Sequence, residues 1–410
     1  MKIVSGYILI AVVALLLPAA AEASEKAIQP AITASVEYND NIFASRSDRE
    51  EDFITRILPG FNARYEASRM SLSASYFFDW INFARHSDKS LESHKAALKL
   101  NAELLRNVFF LKVTDDYARV SKDISRERLQ ESIILNQTDA NVFAVEPYIV
   151  LRPSSSTSLR AGYRHSDYWY KDEESVDKKE NSVFIASTFD LSQKTSGGLR
   201  AEYGRQLNRI SDFDRVEAWA DLKYEYAAGA SLAASAGYSK LTFDDGSDID
   251  SPVWDLAVRH ELGYFEAAFT SSGRIAEDPR SVPKFQYGYM ATLVKKAGAR
   301  TVLTLGHNFS DYVNTATDKR DTRRYGFTAG LKHDFTSRLA YSASVGREKY
   351  IFYPQSATTF RTIVSQALEY SLGEDASVNL TYNFIDYESA AVDSDNHETH
   401  RVAVGVAKTF

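Results

Sequence analysis

Eight histidines are the first candidates for chemistry in this 410-residue chain: His86, His94, His165, His260, His307, His333, His397 and His400. Hydrolysis through a hydroxyl nucleophile needs a Ser, a His and a carboxylate or Asn converging on one patch. No Gly-x-Ser-x-Gly stretch occurs, and His165-Ser166 is an adjacent pair that an extended chain places on opposite faces. His397 and His400 flank a polar segment, where a lone pair of histidines is usually solvated. The acidic runs Asp48-Arg49-Glu50-Glu51-Asp52, Asp172-Glu173-Glu174 and Asp244-Asp245-Gly246-Ser247-Asp248 lack the full spacing of a calcium loop and read as solvated surface. Zero Cys excludes disulfides, thiol catalysis, Cys-based zinc sites and haem attachment. These residue types argue against an enzyme and imply no metal and no cofactor.

The remaining polar chemistry lies on segments with a period of two. In the segment starting at Val216, Val216, Ala218, Ala220, Leu222, Tyr224 and Tyr226 oppose Glu217, Trp219, Asp221, Lys223 and Glu225. Around Tyr325, the set Tyr325, Phe327, Ala329 and Leu331 opposes Arg324, Thr328, Lys332 and Asp334. Such alternation marks strands with one apolar face. It recurs from Ile32–Tyr38 to Val402–Phe410 in about twenty segments, each near the length a tilted strand needs to cross a bilayer. No helical segments intervene to cover the apolar faces.

The connections sort the strands. Short links such as Pro153–Thr157, Ala228–Gly229, Ala297–Ala299 and Gly373–Asp375 alternate with long polar ones such as Asn41–Asp52, Ser121–Gln137, Lys171–Asn181 and Ser389–Glu398. Strict alternation predicts an all-β, transmembrane, antiparallel up-and-down β-barrel of about twenty strands (roughly 18–22), both termini periplasmic. The last strand carries a C-terminal assembly signal in Val402, Val404, Val406 and Phe410, although Lys408 departs from the apolar pattern. Pro59, followed by Gly60, predicts a bulge or a break in the second strand.

Lys2, the apolar run Ile8 to Leu17 and Ala21-Glu22-Ala23 read as a cleaved signal peptide over 1–23, leaving 24–410 as the barrel. Twenty-four Tyr and 23 Phe against nine Pro and three Met suit strands and membrane interfaces. A net charge of -7 offers no footprint for nucleic acid. Mean hydropathy of -0.32 excludes a helical membrane protein but not a barrel.

A barrel of this size encloses a water-wide lumen unless loops or a partner fill it. The face opposite the apolar one then lines the lumen with Arg160, Arg164, Arg200, Glu202, Glu217, Trp219, Asp221, Lys223, Glu225, Asp255, Arg259, Lys332, Asp334, Arg361 and Glu369. Both signs occur, which argues against strong ion selectivity and is also what cross-strand ion pairs would give. Trp219 could stack on a sugar face. Trp80, Trp169 and Trp254 fall near the extracellular ends of their strands on the lipid face, as an outer aromatic girdle.

The stretch Val36-Glu37-Tyr38-Asn39-Asp40-Asn41-Ile42-Phe43, followed by Phe53-Ile54-Thr55-Arg56-Ile57-Leu58-Pro59-Gly60-Phe61, resembles the opening of the putative β-barrel porin type 2 family. The resemblance is strongest over roughly residues 30–85, and its motifs are structural. It implies an outer-membrane barrel similar to those encoded with exopolysaccharide or capsule export systems. The expected location is the Gram-negative outer membrane. The expected partners are membrane lipid and lipopolysaccharide, the barrel assembly machinery and polysaccharide export components, with no nucleic acid. Three functions stay open: a channel for exopolysaccharide or a related polymer, a structural barrel sheathing a periplasmic partner, and a general diffusion porin.

Overall fold

A strand with one apolar face must bury that face, and a sheet with free edges cannot lie in lipid, because its unpaired amides would have no partner there. The chain meets both demands by closing on itself. A computed structural model describes residues 25–122, 137–277, 279–280, 283–315, 317–354, 356–390 and 395–410, and places twenty strands in one sheet. The expected signal segment, 1–23, lies outside these residues.

The strands begin with β1 (Glu25–Asn39), β2 (Asp52–Ala67), β3 (Met70–Phe83), β4 (Leu91–Leu105) and β5 (Phe109–Ser121). Next come β6 (Gln137–Ser154), β7 (Thr157–Tyr170), β8 (Lys178–Ser192), β9 (Thr195–Asn208) and β10 (Phe213–Ala227). The third quarter holds β11 (Ala230–Phe243), β12 (Asp248–Leu262), β13 (Phe265–Glu277), β14 (Pro283–Lys296) and β15 (Thr301–Asn314). The chain ends with β16 (Lys319–Asp334), β17 (Leu339–Phe352), β18 (Ala357–Ser371), β19 (Ala376–Ser389) and β20 (His397–Thr409). Every strand pairs antiparallel with the next, and β20 pairs back onto β1 from Ala31 opposite Thr409 to Asn39 opposite Arg401. The sheet therefore has no edge. No helix among the described residues is long and apolar enough to cross a membrane.

Tight turns and long loops segregate to opposite ends. Residues 68–69 and 155–156 link β2 to β3 and β6 to β7, whereas 40–51 and 171–177 link β1 to β2 and β7 to β8. An even strand number puts Glu25 and Phe410 together at the turn end. Gly229 (φ 70°) and Gly263 (φ 64°) sit in such turns, where the left-handed backbone favours glycine.

One face of the cylinder carries the large exposed apolar side chains, among them Val36, Ile185, Leu199, Val216, Leu305, Phe327 and Val404. This is the outer face. Its charge is graded along the strands. Apart from Lys26, Lys295 and Lys408 at the turn end, Asp115 is the one Asp, Glu, Lys or Arg that the register places outward in the turn-side half, among the described residues. Asn141 Nδ2 donates to it at 3.0 Å. The apolar belt thus occupies the turn-side part of the wall, and the loop-side ends of the strands stand beyond it as a polar collar.

The second strand does not break. β2 runs through Pro59, which faces outward opposite Ile32. The β2–β3 ladder lapses at Leu58 and Pro59, between Ile57 opposite Trp80 and Gly60 opposite Phe77, with the same register on both sides. No residue is inserted, because β1 holds β2 continuously on its other edge. The lumen-facing Gly60 completes the fit, since a Cβ there would meet the Tyr76 carbonyl and the Phe77 ring. Gly60→Val should lower unfolding stability by about 1–3 kcal/mol. Gly373→Ala, where a Cβ meets nothing, should stay within about 0.5 kcal/mol. Urea titration of the folded barrel, followed by its heat-modifiable gel mobility, checks both.

Candidate functional site: the lumen and its loop-side mouth

The register places all fifteen expected lumen residues on the face opposite the outer apolar side chains. They do not form one cluster. On β6–β9, Glu146 accepts hydrogen bonds from Arg160 and, at 2.8 Å, from Arg164 Nε, and Arg164 also reaches Glu202 at 3.0 Å. Arg160 lies over the Tyr148 ring with its guanidinium carbon 3.9 Å from the centroid. Farther round, Arg200 pairs with Asp221 at 3.2 Å and stacks on Trp219 at 4.4 Å. Trp219 Nε1 and Ser239 Oγ donate to Glu217, and Ser235 Oγ donates to Asp221. Arg259 pairs with Glu261 and Glu266. On the facing wall, Arg361 and Arg324 both donate to Glu348. Lys223, Glu225, Asp255, Lys332, Asp334 and Glu369 make no ion pair among the described residues.

Partners outside the expected lumen set complete these networks: Glu146, Glu180, Arg215, Arg324 and Glu348. So do the pairs Arg56–Asp79 and Arg401–Glu37. All share the alternation that found the others. What was missing is the register, which decides which charges on neighbouring strands meet. The three girdle tryptophans face outward. Trp169 stacks on Tyr117, and Trp254 lies against Phe285 and Tyr287 over Gly273. Among the described residues no group of three His, Asp or Glu side chains is placed to hold a metal.

The lumen is asymmetric along its axis. On β14, Met290 in the turn-side half is 52% exposed although it faces inward, while Lys284 near the loop end is 5% exposed. Lys223 and Glu225 are exposed, whereas Phe213 on the same face of β10 is buried. Lumen-facing Leu241, Val253, Tyr350, Phe352, Ile385 and Tyr387 are likewise buried at their loop ends. The turn end is open to water and the loop end is filled.

Two loops account for much of the filling. In the β1–β2 loop, Ile42 turns inward and packs with Ile54, Ile81 and Phe83, with Phe43 and Leu91 against them. Asn41, 1% exposed, sets that turn. Its Nδ2 donates to the Ser45 and Glu398 carbonyls, and its Oδ1 accepts from the Ser45 amide. The Asp40 and His400 backbones are tied to each other as well. In the β7–β8 loop, the Val176 amide donates to the Pro279 carbonyl at 2.7 Å, reaching the β13–β14 loop. Arg209 donates to the Glu173 and Ser175 carbonyls, and Lys122 pairs with Asp172. A constricting loop was the feature the sequence reading did not find. Its signal was present in Asn41-Ile42-Phe43, an apolar pair inside a polar loop.

An acidic latch braces the first loop. Asp52, fully buried, accepts hydrogen bonds from the Phe53, Arg85 and His86 amides and from His86 Nδ1 at 2.8 Å. His86 Nε2 meets Glu50 at 2.5 Å. With both ring nitrogens facing carboxylates, the imidazolium is favoured; chiefly the hydrogen bond to Asp52 holds the His86 pKa above the usual histidine value.

The closed sheet with termini at the turn end and a polar interior defines the outer-membrane type of β-barrel. Among solved structures, it is similar to a mutant of the ferric enterobactin receptor (PfeA) of Pseudomonas aeruginosa, with 8% identity and a TM-score of 0.53 over 93% of this chain and 80% of that one. It is also similar to the FrpB iron transporter of Neisseria meningitidis, with 10% identity and a TM-score of 0.53 over 93% and 82%. A lower similarity, TM-score 0.46 at 11% identity, relates it to OpdK of Pseudomonas aeruginosa crystallised with vanillate, over 93% and 99%. The first two likenesses show the fold. No family model matches the chain, and no curated protein matches it.

A raised pKa means that the His86 latch is complete below about pH 6.5 and is lost as pH rises through the folded-state value. Hydrogen exchange of the 40–51 amides, corrected for intrinsic rate, should lose protection across that neutral-to-alkaline window. His86→Gln should flatten the profile.

Proposed function

We propose that the chain is an outer-membrane channel, exported by a signal peptide at 1–23, whose lumen opens at the periplasmic turn end and is narrowed outside by inward-folded loops. The graded lumen, open at Met290 and filled at Ile42 and Phe213, is the observation that carries the reading. The apolar belt supports membrane insertion. Assembly machinery would read the last strand, with Val402, Val404, Val406 and Phe410 on its outer face.

The cargo we favour is exopolysaccharide or a related polymer moving outward. The family resemblance supports it, and so does the uncharged middle of the lumen wall on β15–β19, where Thr304, Asn308, Thr328, Ser344, Ser365 and Thr381 face inward. Hydroxyl and amide groups can exchange hydrogen bonds with a sugar chain without holding it as a fixed charge would. The same asymmetry favours a second reading, a barrel that sheathes a periplasmic partner entering through the open turn end. General diffusion of small solutes is the third reading, and the filled mouth speaks against it.

Planar-bilayer recording separates these readings. The channel reading expects low or intermittent conductance from the folded wild type. Ile42→Ser with Phe43→Ser, which removes the apolar anchor of the first loop, should give a steady conductance at least severalfold larger. Block by added neutral polysaccharide, but not by small sugars, is expected for polymer passage. Silence from both proteins, with a periplasmic component co-purifying in the lumen, would move the assignment to the sheath.

A further inference from the structure

Cations on the outer face of the collar are almost all neutralised. Arg205 pairs with Asp214 and Asp244, Arg320 and Arg323 with Asp311, and Lys179 with Asp167. Lys240 pairs with Asp248, and Arg119 and Lys171 with Asp139. Arg347 and Lys349 on β17 are different. They project outward two residues apart, and among the described residues neither has a carboxylate within ion-pair distance. Each lies over the Phe360 ring of β18 instead, at 5.1 Å and 5.9 Å from its centroid.

Directly toward the turn end from this pair, the outer wall is hollowed. A groove of about 480 Å³ runs over β13–β18, with Ala329 and Ala343 between the larger Leu305, Leu331, Val345 and Val364, and with Lys295 at its turn-end rim, away from Arg347 and Lys349. A second hollow of about 440 Å³ adjoins it and shares Leu293 and Leu305. Both open on the lipid-facing side, where small residues among large ones make a channel for a hydrocarbon chain. Unpaired cations at the upper edge of the apolar belt, with a chain-sized groove beneath, form the complement of an acylated phosphate.

We propose that this face binds a phosphorylated, multiply acylated glycolipid of the outer leaflet, of the lipid A type. Its phosphate lies against Arg347 and Lys349, and an acyl chain lies in the groove over Ala329 and Ala343. The inference rests on the membrane orientation argued above, which puts the upper edge of the apolar belt, where Arg347 and Lys349 stand, at the headgroup level of the outer leaflet. Asp386 and Glu388 on β19 stand one strand beyond Thr362 and Phe360 and confine the anion to the β16–β18 side. Among outer-leaflet lipids a phosphorylated glycolipid brings net negative charge, whereas a zwitterionic headgroup carries its own ammonium against the two cations.

Native mass spectrometry of the folded, detergent-solubilised barrel tests the site with three probes: bis-phosphorylated lipid A, the same lipid dephosphorylated, and phosphatidylglycerol. Wild type should retain bis-phosphorylated lipid A at least tenfold better than either other probe. The Arg347→Ala/Lys349→Ala double variant should lose that preference, and Ala343→Phe, which fills the groove and leaves both cations, should weaken retention severalfold. Should the double variant not fold, Lys349→Gln alone serves, with a loss of about threefold expected. Equal retention by wild type and the charge variants would overturn the proposal, as would equal binding of the dephosphorylated lipid or of phosphatidylglycerol. A barrel that conducts but retains no lipid A sinks this site and leaves the channel; one that retains lipid A but never conducts does the reverse.

Discussion

A backbone amide in hydrocarbon must find its partner within the protein, and in this chain the last partners are found at the seam between β1 and β20. The ladder there stops at Asn39 opposite Arg401, while β1 and β2 stay paired from Glu25 to Asn39. Beyond the ladder, side chains take over. The Asp40 amide donates to the His400 carbonyl, Asp40 Oδ1 accepts from the His400 amide, and Asn41 Nδ2 reaches the Glu398 carbonyl. At the turn end the Phe410 amide donates to the Pro30 carbonyl. The seam is therefore fastened at both ends. Because Asn41 also aims Ile42 into the lumen, closing the barrel and narrowing its mouth are one local structure. A change that frees the mouth at Asn41 also loosens the seam, whereas a change at Ile42 or Phe43 acts on the mouth alone.

The interior charges follow from the same closure. A curved wall brings lumen side chains on neighbouring strands toward each other, so opposite charges pair rather than point to the axis. The solvent-exposed pairs among them, such as Arg259–Glu261, contribute about 0–1 kcal/mol each. Their larger effect is to leave little free charge over most of the wall. Arg164 between Glu146 and Glu202, and Glu348 between Arg324 and Arg361, are balanced from two sides. The charges left unpaired, such as Lys223, Glu225 and Glu369, stand in the turn-side half, where water screens them.

The period-two pattern made the strands, the faces and the segregation of turns from loops legible, because each is a property of one segment at a time. Arg160, Trp219 and Arg361 could be put on a face this way. Their partners could not be named, since whether Arg361 meets Glu348 depends on a register set by turns and by packing on both sides. Pro59 misled for the same reason. A proline argues for a break when its own strand is considered alone, yet β1 on the other edge holds the register. The loop at Asn41-Ile42-Phe43 was visible as a resemblance but not as a constriction. Its inward turn depends on Glu398, which is 357 residues away along the chain.

The two ends of the lumen place unequal demands on anything that passes. A solute entering from the turn end meets water, scattered charge and exposed side chains such as Met290, with no surface that would hold it. Midway it meets hydroxyl and amide groups of the Thr304–Thr381 arc, which can trade hydrogen bonds at little net cost in free energy. At the loop end it must displace Ile42 and its apolar neighbours, or the tethered stretch around Val176. A small solute makes too few contacts to offset that displacement. A chain already threaded through the middle brings many weak contacts at once and stays in place while the mouth opens. Under the function proposed above, the geometry would set a threshold that a polymer or a protein partner meets collectively, and on that ground those two readings rank ahead of free diffusion.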